Sequence, residues 1–271
     1  MESDARIVAP GGQCLKAWRD ERVDFESLIL LAVAFALIAA LYSSVGHAGA
    51  SGYLAIMALA GVAPDVMRPT ALVLNLVVAA VGTWRFARAG LTSWKALLPL
   101  VVTSVPLAMV GGSIKLPAEG YRSLVGLVLL ASAAVLAWRA SANVHSVEEG
   151  PIRLPVPTAL GIGAAIGILS GLTGTGGGIF LSPLLLLAGW AGPRRTAGLA
   201  APFILLNSAA GLIGLGWASA HFPAGLPWLA GAVLAGGYVG TQLGAHRLQA
   251  PALLALLSAV LLIAGTKLLL T

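Results

Sequence analysis

The chain has 271 residues, of which 58% are hydrophobic and only 10% charged, with a mean hydropathy of +0.93. A soluble domain carries roughly 25% Asp, Glu, Lys and Arg, so a water-facing enzyme domain, a secreted disulfide scaffold and a disordered tail are all excluded. The apolar runs are long and unbroken, not alternating segments of about ten residues, which excludes a transmembrane barrel. The fold class is an all-α polytopic membrane protein.

Residues 1–26 form a polar extension with four bases and six acids, so the net charge of +6 leaves +8 for the remainder. An acid-rich leader is no signal peptide. The single cysteine, Cys14, lies within it, so neither disulfides nor cysteine metal sites are expected. The remaining bases stand singly or in pairs between apolar runs. They read as topology-setting charges and attractors of an anionic substrate, not as a nucleic-acid surface.

From Ser27 the apolar runs follow in a countable order. Leu28–Val45 meets a glycine-rich break at Gly46–Gly52, and a short run, Tyr53–Val62, follows. Pro69–Phe86, Trp94–Val110 and Tyr121–Trp138 come next, then a polar linker over 140–155. The pattern restarts with Val156–Leu172, a second break at Thr173–Gly178 and a second short run, Ile179–Trp190. Thr196–Trp217, Leu226–Gly244 and Leu253–Leu270 complete it. Residues 27–139 and 156–271 therefore read as two membrane repeats. Gly49–Leu54 aligns with Gly176–Leu181 and Arg68 with Arg195, while Asn75 and Gly82 have the same spacing as Asn207 and Gly214. Runs of about ten residues are too short to span a hydrocarbon core of roughly 30 Å. The expected architecture is about eight full crossings plus two short or re-entrant helices. If the short runs re-enter, the halves run parallel; if all five segments cross, they are inverted. The eight-crossing arrangement puts Arg85, Arg88, Lys95 and Arg153 inside with the N-terminus, and Arg68, Lys115, Arg194 and Arg195 outside.

The two breaks are the strongest local signals. Each is followed by a short apolar run, so each starts a half-helix whose free N–H groups and positive dipole end would suit an anion. Ser44, His47, Gly49 and Ser51 surround the first break, and Thr173, Thr175, Gly176, Gly177 and Gly178 the second. The bland alternative is that the glycines only permit close helix packing. His47 reads either as a packing residue or as a donor to the anion. Asn75 and Asn207, each inside an apolar helix, either join helices or line the substrate cavity. Asp65, Glu119, Glu148 and Glu149 all fall in connections, so no carboxylate is expected in a span to hold a cation. The second break lacks the Gly-Lys-Ser/Thr ending of a nucleotide loop, and no acid pair or nucleophile motif supports an enzyme. No cofactor or metal is expected.

Ser43-Ser44-Val45-Gly46-His47-Ala48-Gly49-Ala50-Ser51-Gly52-Tyr53-Leu54 resembles the TauE/SafE family of sulfite exporters, also called the toluenesulfonate uptake permease family. The likeness continues through Met67-Arg68-Pro69-Thr70-Ala71-Leu72 and returns at Ser170–Pro183, with Ala50 standing where many relatives have glycine. The resemblance implies a multi-pass inner-membrane transporter, an exporter, of small sulfur-containing anions such as sulfite, sulfonates or sulfoacetate. A passive anion channel remains the alternative, and a membrane enzyme or assembly factor a more distant one. The sequence leaves open whether the chain forms homo-oligomers.

Overall fold

The computed structural model describes residues 25–44, 46–141, 152–216, 220–245 and 251–270. Residues 1–24 of the polar extension and most of the 140–155 linker lie outside the described residues. Among those described there are ten helices and no strands: α1 Phe25–Ser44, α2 Ala50–Leu59, α3 Pro64–Arg88, α4 Trp94–Ser113, α5 Ala118–Ser141, α6 Val156–Thr173, α7 Gly178–Leu187, α8 Pro193–Leu215, α9 Leu226–Ala245 and α10 Pro251–Leu270. Five of them (α3, α4, residues 118–138 of α5, α6 and α8) are long and apolar enough to cross a membrane. In hydrocarbon a helix is the natural state, because every backbone group must bond within the protein. Exposed Leu30, Leu37, Leu98, Ile213 and Trp228 give the bundle the apolar outer face that lipid requires.

Proline opens α3, α6 and α8 in the first turn, where its missing N–H costs nothing. α3 thereby starts at Pro64, five residues before the expected Pro69, which is accommodated inside the helix. The earlier start moves Asp65 from a connection into the first turn of α3, as Glu119 is in that of α5. Both are exposed there, so they sit at helix ends.

The contacts between helices fix their relative directions. Gly163, Gly167 and Gly171 of α6 press on the backbone of Leu100, Ser104 and Ala108 of α4, so closely that a Cβ would strike the facing carbonyl. Gly236 and Gly240 of α9 press in the same way on Ala36 and Ala40 of α1. In both pairs the numbers rise together, so the helices run the same way. Small residues allow this approach, and the packing it permits is the main attraction between helices in lipid. α8 also runs with α4: Thr92 Oγ1 donates to the Gly198 carbonyl at 3.0 Å, and Gly112 packs on Gly211. α3 and α8 run oppositely, with Gly82 beside Ala201 and Leu72 beside Gly211. α5 and α10 do the same, with Gly126 on Gly265 and Ser258 Oγ donating to the Ala133 carbonyl at 2.8 Å.

A consequence follows for the short helices. α6 and α8 both run with α4, so the segment holding α7 must bring the chain back along the bundle. It does: the Arg153 N–H just before α6 donates to the Trp190 carbonyl just after α7, at 2.9 Å. In the first half, α9 runs with α1 and also with α3, where Val78 meets Gly237 and Arg85 Nη1 reaches Thr241 Oγ1 at 3.2 Å. α1 and α3 are thus parallel, and α2 is the return limb. A re-entrant helix would leave its flanking helices antiparallel, so these directions do not fit the re-entrant form of the two expected short helices. They also unite Arg153 with Arg194 and Arg195 at one end of the bundle, which the expected charge assignment had put on opposite sides.

Candidate functional site

α2 and α7 each start from a glycine in the left-handed region, Gly49 at φ 97° and Gly177 at φ 80°. Gly46, Gly174 and Gly176 are left-handed too. An L side chain rarely adopts that conformation, so glycine is what lets the chain leave one helix and enter the next within a few residues. The aligned partner of Gly49 is therefore Gly177, one residue beyond the Gly176 expected from the sequence.

The two breaks meet. Gly46 rests on Ala197 of α8 and Gly174 on Arg68 of α3, and the His47 ring lies beside Gly178 at the start of α7. A Cβ built on Gly176 would lie 2.7 Å from Asn75 Nδ2 and 2.8 Å from Ser208 Oγ. Asn75 and Ser208 are completely buried, and neither the Asn75 amide nor the Ser208 hydroxyl has a hydrogen-bond partner among the described residues. A buried polar group left unpaired costs about 1–3 kcal/mol. Two such groups converging on the backbone before a helix N-terminus make a polar spot with unspent donors.

The other predicted residues are placed as follows. Ser44 Oγ donates to the Leu41 carbonyl of its own helix at 2.7 Å. His47 is buried, its ring centroid 6.3 Å from that of Tyr42 with the planes at 69°. Ser51 Oγ pairs with Tyr42 Oη at 2.8 Å, and Thr173 Oγ1 with Thr175 Oγ1 at 2.9 Å, so these hydroxyls have partners inside the protein. The amide of Asn207 donates to the Phe203 carbonyl at 2.8 Å, leaving its oxygen unpaired. Gly177 faces Ile166, Phe203 and Ser170, a mainly apolar wall, and Gly178 faces Ile204. Of the second break's glycines, Gly176 is the one that faces Asn75 and Ser208. Ser208 escaped sequence reasoning, because a serine inside an alanine- and glycine-rich helix gives no signal of its own.

Arg68 was also missed. It is buried, and its guanidinium donates to backbone carbonyls at three places: Gly171 at the end of α6 (Nε 2.9 Å, Nη2 2.6 Å), Gly111 and Gly112 at the end of α4 (2.6 and 2.8 Å), and Ile114 (3.0 Å). Last-turn carbonyls have no partner in their own helix, and a cation is favoured at that end of the dipole. Arg195, expected to be its counterpart, is only half-buried.

α3 connects two recesses. Near its start, Pro64, Arg68 and Pro69 line a cavity of about 440 Å3 with Lys115, Tyr121 and His221. Toward its end, Val78, Gly82 and Phe86 line a recess with Ser43, His47 and Thr241 that is only large enough for one water. Asn75 lies between them along the helix.

Residues 15–268 match the family model of the sulfite exporter TauE/SafE. The chain belongs to the TauE/SafE family. It is also 43% identical over 242 residues to the probable membrane transporter protein y4hK of Sinorhizobium fredii, an alignment covering 88% of this chain and 97% of that one. No solved structure matches it. As a TauE/SafE protein with its long apolar helices, the chain is a multi-pass membrane protein of a transporter family, and no enzyme activity is implied by that membership.

Proposed function

We propose that this chain is a secondary carrier, an exporter in the inner membrane, of small sulfur-containing anions such as sulfite, sulfonates or sulfoacetate. The anion binds where the two broken helices meet, near mid-membrane, with Asn75, Gly176, Ser208 and the α7 N-terminus as its immediate donors and with His47 and Asn207 beside them. Ser44, Gly49, Ser51, Thr173, Thr175, Gly177 and Gly178 shape the two breaks around it. The observation that carries this reading is the convergence on Gly176 of two fully buried polar groups, Asn75 and Ser208, that have no hydrogen-bond partner among the described residues. Among the described residues, the acids within helices are Glu26, Asp65 and Glu119, each in the first turn of its helix, so no acid stands in a helix interior to hold a cation.

The architecture in this proposal is ten crossings in two inverted repeats, 27–139 and 156–271, joined by the 140–155 linker and preceded by the 1–26 extension. Exchange of partners supports it: α4 lies along α6 as α9 lies along α1, and α3 and α5 each pack antiparallel to their own counterparts, α8 and α10. Repeats of parallel topology would keep counterparts running the same way. Transporters with inverted repeats commonly bind substrate at discontinuous helices on the repeat interface.

The test is reconstitution of the full chain in liposomes with labelled sulfite, sulfoacetate, an amino acid and an organic cation. Transport of a sulfur oxyanion, its counterflow against unlabelled anion, and its loss in Asn75→Leu are the expected results. Flux without counterflow would favour a channel, and transport of the cation alone would overturn the reading.

A further inference from the structure

The cavity near the start of α3 has a composition that the buried spot does not explain. Its walls include Arg68, Lys115 and His221 against a single acid, Asp65, which stands 3.8 Å from His221 Nδ1. The remainder is Pro64, Pro69, Leu116, Ala118, Leu215 and Tyr121. Arg68 is held entirely by main-chain carbonyls, and no carboxylate lies in salt-bridge contact with it among the described residues. Its charge is therefore hydrogen-bonded but not neutralised. Lys115 is exposed at the rim, free to follow a ligand.

The cavity also adjoins the second break. Tyr121 Oη donates to the Thr173 carbonyl at 3.0 Å, and the backbone of Gly174 rests on Arg68. Two of the cavity's wall residues thus touch the glycine-rich segment that leads to Gly176. The volume, about 440 Å3, suits a small organic molecule and exceeds what a bare ion needs.

We propose that this cavity is a second, outer anion subsite, a vestibule in which Lys115 captures a small organic sulfonate by its charged head while the proline and leucine wall receives its apolar part. Arg68 supplies a fixed positive field at the inner end, and Asp65 sets an upper limit on how tightly the anion is held. The proposal rests on the anion reading of the buried spot. Charge in a concave, low-dielectric mouth raises the local concentration of a counter-ion, so the vestibule acts on capture and not on the translocation step.

The experiment measures initial transport of a short alkyl sulfonate, propanesulfonate, against concentration, using the full chain in vesicles of zwitterionic lipid. Lys115→Gln should raise the half-saturation concentration about threefold and Lys115→Glu about tenfold, with the maximal rate changing less than twofold. Asp65→Asn should lower half-saturation about twofold. All three shifts should shrink at high ionic strength, since exposed charges are screened. A merely structural role would not give opposite signs for Lys115→Glu and Asp65→Asn. Normal transport with unchanged half-saturation in these variants would overturn the vestibule and leave the buried site standing. Failure of the unmodified chain to transport any anion would instead overturn the anion reading, and the vestibule with it. Repeating the series with anionic lipid distinguishes the source of the anion: if that lipid abolishes the Lys115 dependence, a headgroup occupies the cavity and the substrate subsite is refuted.

Discussion

Gly82 of α3 rests on Ala201 of α8, and the same contact recurs with the helices exchanged, Gly211 of α8 on Leu72 of α3. A shift of 129 residues carries Gly82 to Gly211, Leu72 to Ala201, and the first residue of α3, Pro64, to that of α8, Pro193. The two central helices therefore cross through a near-twofold relationship, with a small residue from each half at the contact. Both breaks touch these helices, Gly46 at Ala197 of α8 and Gly174 at Arg68 of α3.

Asn75 offers a test in which stability and function move oppositely. Its amide is buried and unpaired among the described residues, so Asn75→Leu should leave unfolding stability unchanged or raise it by about 1 kcal/mol. The same substitution should abolish anion-dependent thermal stabilisation. Loss of stability in Asn75→Leu would mean that the amide joins helices and does not serve the ligand.

Glycines at the second break should respond differently from glycines in open turns. Gly176→Ala meets both an unfavourable φ of 72° and the Asn75 and Ser208 polar atoms, and should eliminate transport. Gly61→Ala has the same φ of 72° but nothing within 4 Å, and should cost about 1 kcal/mol of stability with transport retained. Gly177→Leu should fail for another reason, collision with Phe203 and Ile166, and should lower the yield of folded protein as well as activity.

Removing Arg68 should be severe. Arg68→Gln leaves the carbonyls at the ends of α4 and α6 without their partner, and a loss of at least about 3 kcal/mol is expected in thermal unfolding. Arg68→Lys should recover little of it, because an ammonium cannot reproduce the planar fork that spans two helix ends.

Ser51→Ala and Tyr42→Phe should each cost about 0.5–1.5 kcal/mol of stability, and the double variant no more than one single variant, because they remove the same hydrogen bond. A double-mutant cycle in detergent would read this directly. Anion affinity should change little in Ser51→Ala, since its hydroxyl is already taken.

Much of the fold was legible in the sequence because helix-length apolar runs and clustered glycines are local signals. The two breaks and the short helix after each were visible in that way. Directions were not, because a ten-residue run is compatible with both a re-entrant helix and the helical part of a longer return limb. The contacts that decide between them, such as Gly163 on Leu100 and Gly198 on Leu91, join residues far apart in the chain. The matched spacing of Asn75–Gly82 and Asn207–Gly214 misled for a related reason. Gly82 packs on Ala201, whereas Gly214 packs on the Met109 carbonyl, so the two glycines hold different places. Arg68 read as a loop charge because its neutral acceptors, backbone oxygens, leave no trace in a residue pattern.

That choice of acceptors has a consequence for how the bundle tolerates change. Every partner of Arg68 is a main-chain oxygen, which all residue types possess, so no side-chain replacement at 111, 112, 114 or 171 deletes an acceptor. The clamp can be lost only by altering Arg68 itself or by moving a helix end. Arg68 thus works as a gauge of position: while it stays bonded, the start of α3 and the ends of α4 and α6 are held as one body, and any motion that opens the second break must pass around them or release all three together.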